Sequence, residues 1–245
     1  MNPAPLLENT NLAFLGETVW PPSILTEQLA EQLTAAPNAC GRPNSDVLRR
    51  RLAVVRDQPV ESWQLDFPDH FSAQEAALYE EPFVLLQQRA NTCQNPRANP
   101  ALRRALARVS RFLAMPVAAT TPDWRWIEDD LLPDATLLVV ARDNDFNHGV
   151  LQSPLFAAWH HAHRPRLAPM HIVESFPFPW PPATALSTLT AVQEESRHAI
   201  ARAARSGDTA LLNSAVLAAY GWSPDLTATA FLPPLQELSR QRLSR

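Results

Sequence analysis

Glu174-Ser-Phe-Pro-Phe-Pro-Trp180, followed at once by Pro181 and Pro182, separates two regimes of sequence. Alternating Phe and Pro cannot be helical, because each Pro lacks an amide donor and holds its predecessor in extended geometry. The stretch therefore predicts a short extended piece that buries Phe176, Phe178 and Trp180 and then leaves into a helix. Before it the chain alternates helix and strand patterns; after it only helix patterns remain. The expected fold class is α/β (α+β): a mixed-sheet domain over residues 1–180, then a helical region over 181–245.

Composition narrows the function. The chain has 245 residues, 46% of them hydrophobic, enough for one substantial core with a helical appendage. No apolar run reaches the roughly 18 residues of a membrane span, and the start of the chain has no signal-peptide pattern. Two cysteines make no disulfide framework. A soluble cytoplasmic protein is expected. All 21 basic residues are Arg, so neither the Lys of a Walker loop nor a Schiff-base Lys is available. The net charge of −4 excludes a bulk basic nucleic-acid binder, so any DNA contact must come from local Arg clustering or a basic partner.

Glycine-rich phosphate cradles are also missing, since the five glycines are scattered. Phe14-Leu-Gly16-Glu-Thr is similar to the opening of a methyl-donor loop without its second glycine. The Pro-Pro pairs at 21–22, 181–182 and 233–234 follow Trp20, Trp180 and Leu232. The catalytic tetrapeptide of amino-methylases needs Asp, Asn or Ser there to hold the target amine. The expectation is a chain with no catalytic residues, no metal and no cofactor of its own.

In order, the patterns predict a strand near 12–15 and a helix capped by Thr26 through Ala35. Gly41-Arg-Pro-Asn-Ser-Asp-Val-Leu48 is a turn-rich loop leading into Arg49, Arg50 and Arg51. A strand over 62–67 follows, with Trp63, Leu65 and Phe67 alternating. Ser72-Ala-Gln-Glu75 is a capping box, Pro82 opens another helix, and a third spans about 100–109. Strands are expected over 111–117, 124–127 and 136–141, the last apolar at consecutive positions and hence central. Arg142-Asp-Asn-Asp145 caps a helix running to His163. His160, His161 and His163 suit a solvated helix end better than a metal site, for want of consistent i,i+4 spacing and a Cys partner. After Trp180, residues 185–205 read as one amphipathic helix and 209–220 as another, opened by Asp208.

Seven pieces together resemble a known family: Gly41 to Leu48; the run from Trp63 through Glu75-Ala-Ala-Leu-Tyr-Glu80; Arg104-Ala-Leu; Leu132-Pro-Asp; Val140-Ala-Arg-Asp143 with Gly149-Val-Leu-Gln-Ser153; Glu174 to Trp180; and Ala215-Val-Leu-Ala-Ala-Tyr-Gly-Trp222. In this order they are similar to the C-terminal target-recognition half of large bacterial adenine-N6 DNA methyltransferases. Those belong to type II fused restriction-modification enzymes and to BREX-like and DISARM-like phage-defence systems. The resemblance runs from about Phe14 to Trp222. The chain departs from it by a short Asn/Pro loop at 90–100 in place of a long basic insert, by Ala118-Ala-Thr-Thr-Pro122 in place of a basic stretch, and by a shorter segment before Phe176.

The resemblance implies a non-catalytic specificity subunit that reads double-stranded DNA. A separate catalytic methyltransferase would supply S-adenosylmethionine. The alternative is a degenerate recognition domain acting as scaffold or regulator. Arg, Asn and Gln read base edges in the major groove. The candidates for DNA contact are Arg42, Asn44, Ser45, Arg97, Arg103, Arg104, Arg125, Arg142, Asn144, Asn147 and Gln152. Candidates for the junction and the methyltransferase-docking surface are Phe176, Phe178, Trp180, Leu189, Val192 and Arg197.

Overall fold

A computed structural model describes residues 3–128 and 130–244. In chain order its strands are β1 (Ala13–Leu15), β2 (Ile24–Leu25), β3 (Leu48–Val55), β4 (Gln58–Leu65), β5 (Arg111–Pro116), β6 (Arg125–Glu128), β7 (Leu131–Pro133) and β8 (Leu137–Val140). The helices are α1 (Glu27–Ala35), α2 (Ala73–Ala76), α3 (Glu80–Ala90), α4 (Pro100–Leu106), α5 (Asp145–Gln152), α6 (Pro154–His163), α7 (Pro169–Glu174), α8 (Ala191–Ser206), α9 (Thr209–Ala219) and α10 (Leu232–Leu243). The fold is mixed α/β. Among the described residues no helix is long and apolar enough to cross a membrane.

The strands form two four-stranded sheets, ordered β1-β8-β5-β6 and β2-β4-β3-β7. All four residues of β8 are buried, as its continuous apolar run requires of an interior strand. The second sheet is mixed: β4 pairs antiparallel with β2 and β3, and β7 pairs parallel with β3. The strand expected over 62–67 is the end of β4, whereas β3 begins in the expected loop and its run of arginines. Three consecutive arginines hide the period-2 pattern, yet Leu48 and Leu52 point into the core. Arg56 and Asp57 turn the hairpin with φ of 51° and 62°, the left-handed geometry of a two-residue hairpin turn.

Local signals were accurate where a cap set them. Thr26 accepts from Leu29 N, the Ser72–Glu75 box is complete, and Asp208 accepts from Ala210 N and Leu211 N. Two predicted long helices are each divided. Ser153 caps α6 with Pro154 in its first turn, so 145–163 is two helices. Thr190 and Gln193 form a second capping box, so α8 starts at Ala191 and a 3-10 turn, Leu186–Thr188, precedes it.

The chain divides into two compact units. One comprises Met1–Phe14, Ala105–Ile127 and Leu138–Arg245; the other comprises Leu15–Arg104 and Glu128–Leu137. This differs from the division expected at Trp180, because α8 packs against α5 and α9 within the first unit. Gly149 of α5 permits that approach: a Cβ there would lie 2.5 Å from Ile200 Cγ2.

The Phe-Pro stretch sits at the centre of the first unit. Phe176 packs edge-on against Phe156, Trp159 and Phe178, with ring centroids 5.2, 6.0 and 5.1 Å away, and Trp180 stacks on Phe146 at 4.6 Å. It is not a sheet strand, so its carbonyls find partners elsewhere. Leu6 N and Asn9 Nδ2 donate to Glu174 O, Asn9 Nδ2 also to Phe176 O, and Tyr220 Oη to Pro177 O.

Candidate nucleic-acid interface

In the second unit the expected readers separate into surface and interior. Arg42 and Ser45 are exposed on the Gly41–Leu48 loop. Asn44 is fully buried: it donates to Leu33 O and Ala36 O and accepts from Asn38 Nδ2 at 2.7 Å, so it clamps the loop to the end of α1. Arg97 is exposed, with its guanidinium on Val19 O, and Arg104 is exposed, with Nε on Pro100 O.

Arg103 is an interior ion-pair residue. Its guanidinium donates to both oxygens of Glu17, at 2.6 and 2.7 Å, and both of Asp66, at 2.9 and 2.7 Å. The two carboxylates are buried and Arg103 is 22% exposed. Burial pushes the Asp66 carboxyl up, against the pull of Arg103. A second buried pair, Arg51 with Asp134, lies on β3. Arg103 spends four of its five N–H donors on the two carboxylates, and Asn44 has its amide nitrogen and oxygen engaged inside the fold. Asn44 and Arg103 are therefore corrected from DNA readers to structural residues.

In the first unit the structure brings Arg125, Asn144, Asn147 and Gln152 around β6 and α5. Arg125 is 70% exposed and pairs with Asp123 at 2.7 Å. Gln152 is exposed and accepts from Trp124 N at 3.0 Å. Asn144 caps α5, accepting from both nitrogens of Asn147, which is fully buried and is likewise corrected. Arg142 is half-buried with Nη1 on Ala141 O, and desolvation lowers its pKa.

Beside these residues stands a cluster that sequence reasoning missed. Arg111 of β5 lies 3.9 Å over the Trp126 ring of β6 and donates to Asp145 Oδ1 at 3.0 Å. Arg205, from the end of α8, pairs with the other oxygen of Asp145. His148 packs against Trp126 at 5.2 Å, and burial lowers its pKa. Asp145 is 34 residues from Arg111 and 60 from Arg205, so no local pattern announces the cluster.

Among the junction residues Phe176, Phe178 and Trp180 are buried as expected. Val192 is 72% exposed and Leu186 63%, while Leu189 is half-buried. Arg197 pairs along its own helix with Glu194 at 2.7 Å. A cleft of about 340 Å³ opens beside the Phe-Pro stretch, lined by Pro179, Tyr220, Trp222, Pro234 and Leu238, with Tyr220 stacked on Trp222. The three-histidine run differs from a solvated helix end: His160 and His163 are buried, and burial drives His160 down to about 4. Among the described residues no group of three or more His, Cys, Asp and Glu is placed to hold a metal ion.

These features define a mixed α/β scaffold of two sheets and ten helices among the described residues. No family model matches the chain, and no curated protein matches it. Among solved structures the fold is similar to a segment of the Type IIL restriction-modification enzyme MmeI, determined in complex with DNA. The TM-score is 0.59 at 14% identity, over 95% of this chain and 36% of that one. The chain thus spans about a third of that enzyme's length, and at this identity the likeness establishes a shared fold.

Proposed function

We propose that this chain is a non-catalytic DNA target-recognition unit. It reads double-stranded DNA for an S-adenosylmethionine-dependent adenine-N6 methyltransferase of a restriction-modification or phage-defence system. The observation that carries this reading is the likeness of 95% of the chain to a part of a restriction-modification enzyme solved with DNA. It agrees with the seven sequence pieces, which suggested the same kind of protein independently of the fold. Base reading falls to exposed Arg42, Ser45, Arg97 and Arg104 in one unit and to exposed Arg125 and Gln152, with half-buried Asn144, in the other. The adenine would be flipped into the methyltransferase's own pocket.

The methyl-donor-like stretch Phe14-Leu-Gly16-Glu-Thr forms no cradle for S-adenosylmethionine. Gly16 is the one glycine in a methyl-donor-like context, and its missing side chain serves packing instead. A Cβ there would lie 2.1 Å from Asp134 O, next to the parallel bridge between Glu17 and Asp134. We assign the cofactor to the methyltransferase. Co-expression with a methyltransferase from the same genome, followed by mapping of methylated adenines, tests the reading. A recurring sequence methylated only when both proteins are present is expected. Methylation at the same sites without this chain would overturn it.

A scaffold role without sequence reading is the second proposal. It is favoured by the use of Asn44, Arg103 and Asn147 inside the fold. The same mapping separates the two: a scaffold would change the extent of methylation and leave its sequence unchanged.

A further inference from the structure

The C-terminal half of α8 presents a basic stripe that joins the Arg111–Trp126 cluster. Ile200, Ala201 and Ala203 face the interior. His198, Arg202 and Arg205 follow at i, i+4 and i+7, one stripe of a helix. His198 is 56% exposed and Arg205 60%, and Arg202 is exposed. Arg205 and Arg111 share a single carboxylate, Asp145, which is 17% exposed. Arg202 makes no ion pair among the described residues. Of the neighbouring acids, Asp208 caps α9 and Glu194 is held by Arg197 and His198, while Asp143 and Glu195 are exposed. Two guanidinium groups therefore share one carboxylate and a third, Arg202, stands unpaired on the same stripe among the described residues, on a chain whose net charge is −4.

The cluster is also held in place. Arg111 is fixed between the Trp126 ring and Asp145, and Asp145 in turn fixes Arg205 through one nitrogen, leaving its other donors outward. Side chains three apart on a helix stand on the order of 5–6 Å from each other, a spacing that suits successive phosphates of one strand. An acidic protein that binds DNA must concentrate its positive charge locally, because each phosphate contact acts by releasing counterions.

We propose that Arg202 and Arg205 of α8, with Arg111 of β5 behind them, form a sequence-independent track for the phosphate backbone of duplex DNA. The track grips the duplex and carries no base readout. This inference rests on the DNA-recognition reading above and adds to it the residues that hold the backbone.

The test measures affinity of the full chain for a fluorescent mixed-sequence duplex against NaCl concentration, alone and with the methyltransferase. Three proteins are compared: wild type, Arg202→Ala/Arg205→Ala, and Arg240→Ala. Arg240 is 71% exposed on α10 and removes charge elsewhere in the same unit. Thermal melts establish that all three are folded. The double variant is expected to lower the slope of log K against log salt by about 2, near 0.9 for each phosphate lost, equally for unrelated sequences. Arg240→Ala is expected to keep the wild-type slope. An unchanged slope in the double variant, or an equal loss in Arg240→Ala, overturns the track while leaving DNA recognition standing. A wild-type protein that binds no duplex in either condition overturns both.

Discussion

At the scale of single residues, Arg103 and its two acids set the clearest expectation. Glu17 and Asp66 are buried, and the guanidinium that neutralises them reaches both with paired hydrogen bonds. Removing one member of a buried ion pair leaves uncompensated charge, at a cost of about 3–5 kcal/mol. Arg103→Ala should therefore lower the unfolding free energy by that order, read as a lower urea midpoint, with DNA affinity following the folded fraction. A variant of unchanged midpoint that had lost only DNA binding would return Arg103 to the list of readers. The sequence offered no means of telling this arginine from Arg104 beside it. Its partners lie 86 and 37 positions away, and nothing local records burial. The caps at Thr26, Ser72 and Asp208 were legible because donor and acceptor are within three residues of each other. His160 gives a second expectation. Burial holds its pKa at about 4, with Arg164 and His161 adding to the effect, whereas the unfolded chain protonates it near 6.5. Its neutral form favours the fold above about pH 6.5, and that contribution is lost as pH falls from there toward 4. The loss approaches about 3 kcal/mol, at up to about 1.4 kcal/mol per pH unit. His163 is shifted in the same direction and steepens the decline. Denaturation midpoints between pH 7 and 4.5 should fall for the wild type and flatten in His160→Gln; parallel curves would refute the assignment.

At the scale of elements, the contact of α5 with α8 depends on one missing side chain. A Cβ on Gly149 would meet Ile200 Cγ2 at 2.5 Å and Ala204 Cβ at 3.2 Å, so Gly149→Ala must push the helices apart or force Ile200 off its rotamer. Overpacking of this kind typically costs 1–3 kcal/mol. A lowered melting temperature is expected, together with weaker duplex binding if Arg205 is displaced from Asp145. An unchanged melting temperature would mean that the helices give way freely. Element types followed from the sequence where the pattern was plain, as in the continuous apolar run of β8 and the one buried face of α1. Element ends did not. Ser153-Pro154 and Thr190 start new helices inside runs whose hydrophobic period continues across the break. Strand β3 was missed because its arginines stand on both faces: Arg50 shares a face with Leu48 and Leu52 and pairs with Glu61, while Arg51 on the other is buried against Asp134.

At the scale of the whole molecule, chain order and compact units disagree. Each of the two units is assembled from separated segments, and the helices after Pro181 share a core with residues 105–127 and 138–180. The division at Trp180 followed a real change in composition, from mixed to helical sequence. Composition records which elements a segment forms, and the partner of an apolar face is a tertiary fact. Removal of residues 183–245 is therefore a decisive experiment. It would delete α8, α9 and α10, with Ile200, Leu212, Val216, Leu217, Phe231 and Leu235 among the buried side chains lost. It would also remove Tyr220, the hydrogen-bond donor to Pro177 O, and uncover the face of α5 around Gly149. Fully burying each aliphatic or aromatic side chain contributes about 1.5–3 kcal/mol. Six of them together contribute on the order of 9–18 kcal/mol, as large as the roughly 5–15 kcal/mol net stability of an ordinary domain. The fragment 1–182 should aggregate or lack a cooperative thermal transition, whether or not the methyltransferase is present. A soluble fragment with a sharp transition would show that the Phe-Pro stretch is a true boundary, and would restore the helices after it to the role of a detachable docking region.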